Sequence, residues 1–192
     1  MSVEYELKYK VTEAQWAALA ADFPGDPRIC RMHTRYYDTP ERCLSRRKLT
    51  LRLRMENDIP VCTLKTPEKA GGRGEYEVSA PDIREALPEL CKLAGLTELL
   101  PLLGDLREVC GARFTRQAVD VVLPQLTVEM ALDRGVLTGG GREQALLEAE
   151  FELKSGSWEE LRIFGLLLEK RLGLIPEGKS KFRRALDLAE GV

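Results

Sequence analysis

The sequence predicts an α+β fold: an antiparallel sheet curled into a closed β-barrel, its helices packed outside. Three observations carry this reading. Several short segments alternate an apolar with a charged residue, as strands with two unlike faces do. Helical segments with capping signals stand between them. The 192-residue length suits one domain, 1–192, with a sizeable core. Charged residues at 31% and hydrophobic ones at 44% exclude a disordered chain.

In chain order, Val3, Tyr5, Leu7 and Tyr9 alternate with Glu4, Glu6 and Lys8, giving the first strand. Thr12-Glu13-Ala14-Gln15 is a capping box, and its helix reaches about Phe23 before Pro24-Gly25. Tyr36 and Tyr37 fall in a strand, so one faces the charged side and one the core. Leu49, Leu51 and Leu53 alternate with Thr50, Arg52 and Arg54, and Cys62 and Leu64 with Thr63 and Lys65. Arg73, Glu75 and Glu77 share a face opposite Tyr76 and Val78. Asp82 caps a helix to Gly95, which Pro88 opposes. Leu126, Val128, Met130 and Leu132 alternate with Thr127, Glu129, Ala131 and Asp133. Leu147 to Lys154 repeats the pattern with Glu148, Glu150 and Glu152. Ser157 to Glu160 is a second capping box, its helix stopping at Gly173, and a last helix covers Phe182 to Ala189. Gly71-Gly72 and Gly139-Gly140-Gly141 read as loops. Trp16 and Trp158 are expected to anchor packing, the cysteines to be buried, and His33 to lie at the surface.

Charge and cysteine content narrow the function. The net charge of −2, from 29 basic and 31 acidic residues, argues against nucleic-acid binding by global charge. Five cysteines without a C-x-x-C pair fit neither a disulfide framework nor a structural zinc site. The N-terminus lacks a signal-peptide core, and no apolar stretch approaches a bilayer span. A cytoplasmic protein with no membrane and no nucleic-acid partner is expected.

A single alternating strand ordinarily turns its charged face to water. Several in one chain, rich in same-sign pairs, weigh differently. Carboxylates two apart on a strand sit about 7 Å apart and repel unless a cation lies between them. Oxygen donors suit Mg²⁺ or Mn²⁺, and a single histidine disfavours zinc. Lys8, Arg52, Arg54, Lys65, Arg73, Arg116 and Lys154 suit phosphate oxygens. Acids for a metal and bases for phosphates together fit a metal–polyphosphate. Salt bridging between the two sets is the competing reading.

These segments resemble, in order, the motifs of the CYTH superfamily, the triphosphate tunnel metalloenzymes. Glu4-Tyr5-Glu6-Leu7-Lys8 resembles its ExExK element, and Tyr36-Tyr37-Asp38-Thr39-Pro40 its YYDTP segment. Leu51-Arg52-Leu53-Arg54, Thr63-Leu64-Lys65 and Arg73-Gly74-Glu75-Tyr76-Glu77 resemble the next three strands. Glu129 to Gly135, Glu148 to Lys154 and Lys179-Ser180-Lys181 resemble the remaining elements, and the whole looks most like the bacterial inorganic triphosphatase branch. The resemblance implies an eight-stranded antiparallel barrel around a tunnel. It implies two divalent ions, Mg²⁺ or Mn²⁺, held by Glu4, Glu6, Glu148, Glu150 and Glu152. Lys8, Arg52, Arg54, Lys65, Arg73, Arg116, Lys154, Lys179 and Lys181 would grip the triphosphate, with Glu75, Glu77, Glu129 and Asp133 supporting the tunnel. The implied activity is metal-dependent hydrolysis of inorganic triphosphate, a small-molecule substrate. Hydrolysis of thiamine or nucleoside triphosphates, class IV adenylyl cyclase activity and non-catalytic polyphosphate binding remain alternatives. The sequence does not fix the oligomeric state.

Overall fold

The computed structural model describes residues 2–67 and 73–192, so the expected Gly71-Gly72 loop lies outside the described residues. Ten strands form one antiparallel sheet: β1 (Ser2–Glu4), β2 (Glu6–Lys10), β3 (Arg28–Asp38), β4 (Thr50–Glu56), β5 (Ile59–Pro67), β6 (Arg73–Val78), β7 (Arg107–Val122), β8 (Thr127–Gly139), β9 (Arg142–Ser155) and β10 (Ile175–Pro176). Four helices accompany them: α1 (Glu13–Asp22), α2 (Ile83–Ala94), α3 (Trp158–Leu172) and α4 (Lys181–Glu190). The helix signals hold. Thr12 and Ser157 each close a reciprocal capping box, and Asp82 accepts from the Arg84 amide. Gly95 and Gly173 end α2 and α3 in the left-handed conformation. Helix α2 runs through Pro88, which is exposed, as is Arg84, whose carbonyl the proline leaves without a helical donor.

The strand order is β1-β6-β5-β4-β3-β7-β8-β9-β2-β10. This corrects the expectation of a closed eight-stranded barrel: among the described residues there are ten strands, and no ladder joins β1 to β10. The reason lies at Tyr5. The N-terminal segment, read from sequence as one strand, breaks there. Its first part pairs with β6, Glu4 opposite Arg73, and its second with β9, Glu6 opposite Glu152.

The two faces of the sheet differ as the alternation requires. On one, Leu51, Leu53, Leu64 and Cys62 pack under α2. Tyr9, Val128, Met130, Leu132, Ala149 and Phe151 pack on the same side with Trp16 and Leu19 of α1 and Leu161, Phe164 and Leu168 of α3. Close packing of α3 needs Gly165, where an added Cβ would stand 2.4 Å from Leu7 and 2.6 Å from the Tyr9 hydroxyl.

Helix α4 departs from the expected outside placement. Its Phe182, Ala185 and Leu186 pack on Met32, Tyr36, Ala112, Phe114, Leu137 and Leu146. Those positions share the face of Arg54, Arg116, Asp133 and Glu148, so α4 covers one end of the charged face. The strands there carry apolar residues where the rest of that face is charged. Gly140 and Gly141 turn β8 into β9 with positive φ of 57° and 72°. At Gly139 a Cβ would lie 2.3 Å from the Ala185 carbonyl, so glycine allows the helix to approach.

Candidate active site

Beyond α4, the charged face lines a cavity of about 550 Å³ to which every strand from β1 to β9 contributes. Most of the sequence-selected residues meet there. Glu4, Glu6, Glu150 and Glu152 stand with Lys8, Arg52, Arg54, Lys65, Arg116, Lys154 and Lys181. Glu75, Glu77 and Glu129 also line it. The side chain of Arg73 is outside the described residues.

The registers explain the convergence. Lys8 stands opposite Glu150, and Glu152 lies between Glu6 on β2 and Glu129 on β8. Three carboxylates directly abreast are unfavourable. Lys8 reaches Glu6 at 3.4 Å, and Lys154 reaches Glu152 at 2.8 Å and Glu129 at 4.0 Å. Burial, then Glu150, push the Glu6 carboxyl above its ordinary value, against Lys8. Burial likewise raises Glu152. Arg28 also bonds Glu129 at 2.6 Å; with Glu4 and Glu150 beside the row, this wall concentrates hard oxygen donors, which fits a divalent cation such as Mg²⁺ or Mn²⁺.

On β4 and β5 the bases are braced by acids. Lys65 bonds Glu4 at 2.5 Å and lies 3.3 Å from Glu75. Arg52 bonds Glu75 at 3.0 Å, while its Nε is buried with no partner among the described residues. Arg54 donates to Thr34 at 3.2 Å, and burial followed by repulsion from Arg52 and Arg116 holds its guanidinium below its ordinary value. Clustered, incompletely neutralised cations suit a polyanion. Tyr36 lines the cavity and Tyr37 the apolar core, which settles their alternation.

Two of the residues expected to hold metal or substrate lie off the wall of this cavity. Glu148, expected among the metal ligands, is fully buried and absent from the cavity wall; Lys181 and Arg184 bond its two carboxylate oxygens. Lys179, expected on the substrate, turns to Asp187 at 2.8 Å, away from this cavity. Asp133, Glu148 and Glu150 do bring oxygens within 4.8 Å of one another. The cation at their centre is the ammonium of Lys181, 2.8 Å from Asp133 and 2.7 Å from Glu150. Arg116 closes the group with a fork onto Asp133 at 2.8 and 2.7 Å and a 2.5 Å bond to Glu150. Burial raises Glu148, Lys181 lowers it and Glu150 raises it again, leaving it at about 7.

Sequence reasoning missed Arg28, which lines the cavity while bonded to Glu129 at 2.6 Å, and Arg184. For Arg184 a signal existed: it lies one helical turn after Lys181, on the same side of α4. Trp158, expected to anchor packing, is 39% exposed against Tyr5. Four cysteines are buried as expected, whereas Cys30 is half-buried on the cavity wall; His33 is exposed.

The model of the CYTH domain matches residues 2–186. The chain belongs to the CYTH domain family. A curated relative, the inorganic triphosphatase of Haemophilus influenzae, is 36% identical over 130 residues, which are 66% of this chain and 37% of that protein. The match thus spans well under half the length of that relative. Among solved structures, a Bacillus halodurans protein named for adenylate cyclase superposes with a TM-score of 0.67 at 22% identity, covering 95% of this chain and 97% of that one. Hippeastrum HpAC1, also named for adenylyl cyclase and described as having a dominant triphosphatase activity, gives 0.63 at 21% identity, with 100% and 96% covered. At such identities the structures support the CYTH fold alone. No helix among the described residues is long and apolar enough to cross a membrane.

Proposed function

We propose that residues 1–192 form one CYTH domain that hydrolyses inorganic triphosphate, using Mg²⁺ or Mn²⁺ at a two-metal site. The observation that carries this is one cavity lined by both kinds of charge, with Glu6, Glu152 and Glu129 abreast on β2, β9 and β8 and Arg52, Arg54 and Lys65 on β4 and β5. The step from β1 to β2 at Tyr5 makes the charged face a tunnel wall in this reading. Its interior holds a small linear polyanion rather than a nucleic acid. The inorganic triphosphatase relative supports the same substrate, and the free thiols suit a cytoplasmic setting.

Glu4, Glu6, Glu150 and Glu152 would hold the metal, which supplies Lewis-acid polarisation of phosphoryl oxygens. Lys8, Arg52, Arg54 and Lys65 bind and align the triphosphate, with Arg116, Lys154 and Lys181 lining the same cavity. Water adds to a terminal phosphorus, the bond to the bridging oxygen breaks, and orthophosphate and diphosphate leave. Simple polyphosphate binding would not require Glu6, Glu129 and Glu152 abreast, since that arrangement repels a polyanion without a metal. The deciding assay is phosphate release from tripolyphosphate, ATP and thiamine triphosphate, each with Mg²⁺, Mn²⁺ or neither. Turnover that persists in excess chelator would remove the metal from the reaction.

Arg52→Ala should weaken triphosphate binding by about 1.5–3 kcal/mol through loss of a charge-assisted contact. The Michaelis constant for tripolyphosphate reads this out. A collapsed melting temperature with an unchanged Michaelis constant would mean that Arg52 only braces Glu75.

A further inference from the structure

Helix α3 carries apolar residues on two faces. Leu161, Phe164, Gly165 and Leu168 are buried on the side that packs on the sheet. On the other side, Ile163, Leu166 and Leu167 are 51%, 58% and 62% exposed. Residues three and four apart share one side of a helix, so the three form a single patch. Exposed apolar residues scattered singly are ordinary, whereas contiguous ones mark contact surfaces.

The charges around the patch say what covers it. Glu159, Ile163, Leu166 and Lys170 follow one another at intervals of four, three and four, the spacing of a helix that packs along a partner helix. This seam is apolar in its middle, acidic towards the N-terminal end and basic towards the C-terminal end. Arg171, beside Lys170, is taken by Asp22 at 2.5 Å, which leaves Lys170 as the base on the seam. Glu159 bonds Arg162 at 2.9 Å, yet its side chain is still 66% exposed and can share a second cation. Such a seam is complementary to itself when turned end for end. A second copy of α3, related by a two-fold axis passing between Phe164 and Gly165, sets Ile163 of one copy against Leu166 of the other. The same axis sets Glu159 against Lys170, and each contact occurs twice. A parallel copy would set acid on acid and base on base. Antiparallel packing also opposes the two helix macrodipoles.

We propose that α3 is a homodimer interface, packed antiparallel on its two-fold mate. One helix about 22 Å long offers less than the roughly 800 Å² per partner of a standard interface, so the dimer is weak, half dissociated at chain concentrations on the order of micromolar. None of the seam residues lines the main cavity, so the test is independent of the triphosphatase reading.

Sedimentation of the whole chain between about 1 and 100 µM should follow a monomer–dimer equilibrium. Leu166→Glu should raise the dissociation constant at least about tenfold and leave the melting temperature unchanged, because the side chain it replaces is exposed. Two charge variants read the register. Glu159→Lys puts bases at both ends of the seam and Lys170→Glu puts acids at both, so each alone should dimerise more weakly than the unaltered chain. Mixed in equal amounts, they should associate as tightly as the unaltered chain, since every base then meets an acid. A chain that stays monomeric at the highest concentration would overturn the proposal. So would a dimer indifferent to Leu166→Glu, or charge variants that do not recover on mixing. Co-sedimentation of monomers with phosphatidylcholine–phosphatidylserine vesicles, lost in Leu166→Glu, would assign the patch to a membrane surface instead and overturn the dimer.

Discussion

Lys181→Ala is expected to destabilise the protein by about 3–5 kcal/mol, the range for removing one partner from a buried ionic group. The Lys181 side chain is 7% exposed, and that of Glu148 not at all. Burial alone would lower the Lys181 ammonium, yet Asp133, Glu150 and Glu148 hold it well above its ordinary value. Burial would raise Glu150, but Lys181, Arg116 and Lys8 keep it far below the usual carboxylate range. Without the ammonium, Arg116 and Arg184 would be left to neutralise three carboxylates. The variant gains a distinctive property: oxygens within 4.8 Å of one another, no longer centred on an amine, become an attractive site for a divalent cation. Mn²⁺ should therefore raise the melting temperature of Lys181→Ala more than that of the unaltered protein. Denaturant unfolding measures the loss. A change below about 1 kcal/mol would show that the buried group is not the keystone of the α4 end.

The same residues show why the sequence disclosed one half of the site better than the other. Alternation marked β2, β4, β8 and β9 because each buries one face under α1, α2 or α3 and turns charge to the cavity. Pairing then brought Glu6 and Glu152 together across 146 positions, an outcome no local pattern contains. Strand β7 escaped the reading except at Arg116. Along its cavity-side face, Cys110, Ala112 and Phe114 meet α4, whereas Arg116 meets the cavity, so polarity changes midway along one face. The burial of Glu148 was hidden for the same reason. It continues the Glu150 and Glu152 series, and spacing cannot show that a helix from the far end of the chain brings Lys181 and Arg184 onto it. The Tyr5 break and the exposed Trp158 were equally invisible, because tyrosine continues an alternating strand and tryptophan at a helix start ordinarily packs.

Glu6→Gln should abolish triphosphate hydrolysis while leaving the fold intact or more stable without metal. Glu6 stands opposite Glu152, with Glu129 on the next strand; Lys8, Lys154 and, at Glu129, Arg28 offset this row. Glutamine preserves shape and one oxygen but removes a charge from a crowded set. Repulsion between carboxylates decreases, so the metal-free melting temperature should stay constant or rise. The cation, in contrast, loses a charged donor. Activity should fall at least about 100-fold, the upper end of the cost of losing even an outer-shell partner of a metal. Higher metal concentrations should recover part of it. The contrast with Lys181→Ala is the informative part: one change should spare stability and erase activity, while the other should reduce stability and create a response to metal. Measuring both variants by thermal unfolding, with and without Mn²⁺, and by tripolyphosphate turnover separates the cavity carboxylates from the buried ones. Wild-type turnover with an unchanged metal titration in Glu6→Gln would remove this carboxylate from the metal site, and with it the strongest support for placing the cation between β2 and β9.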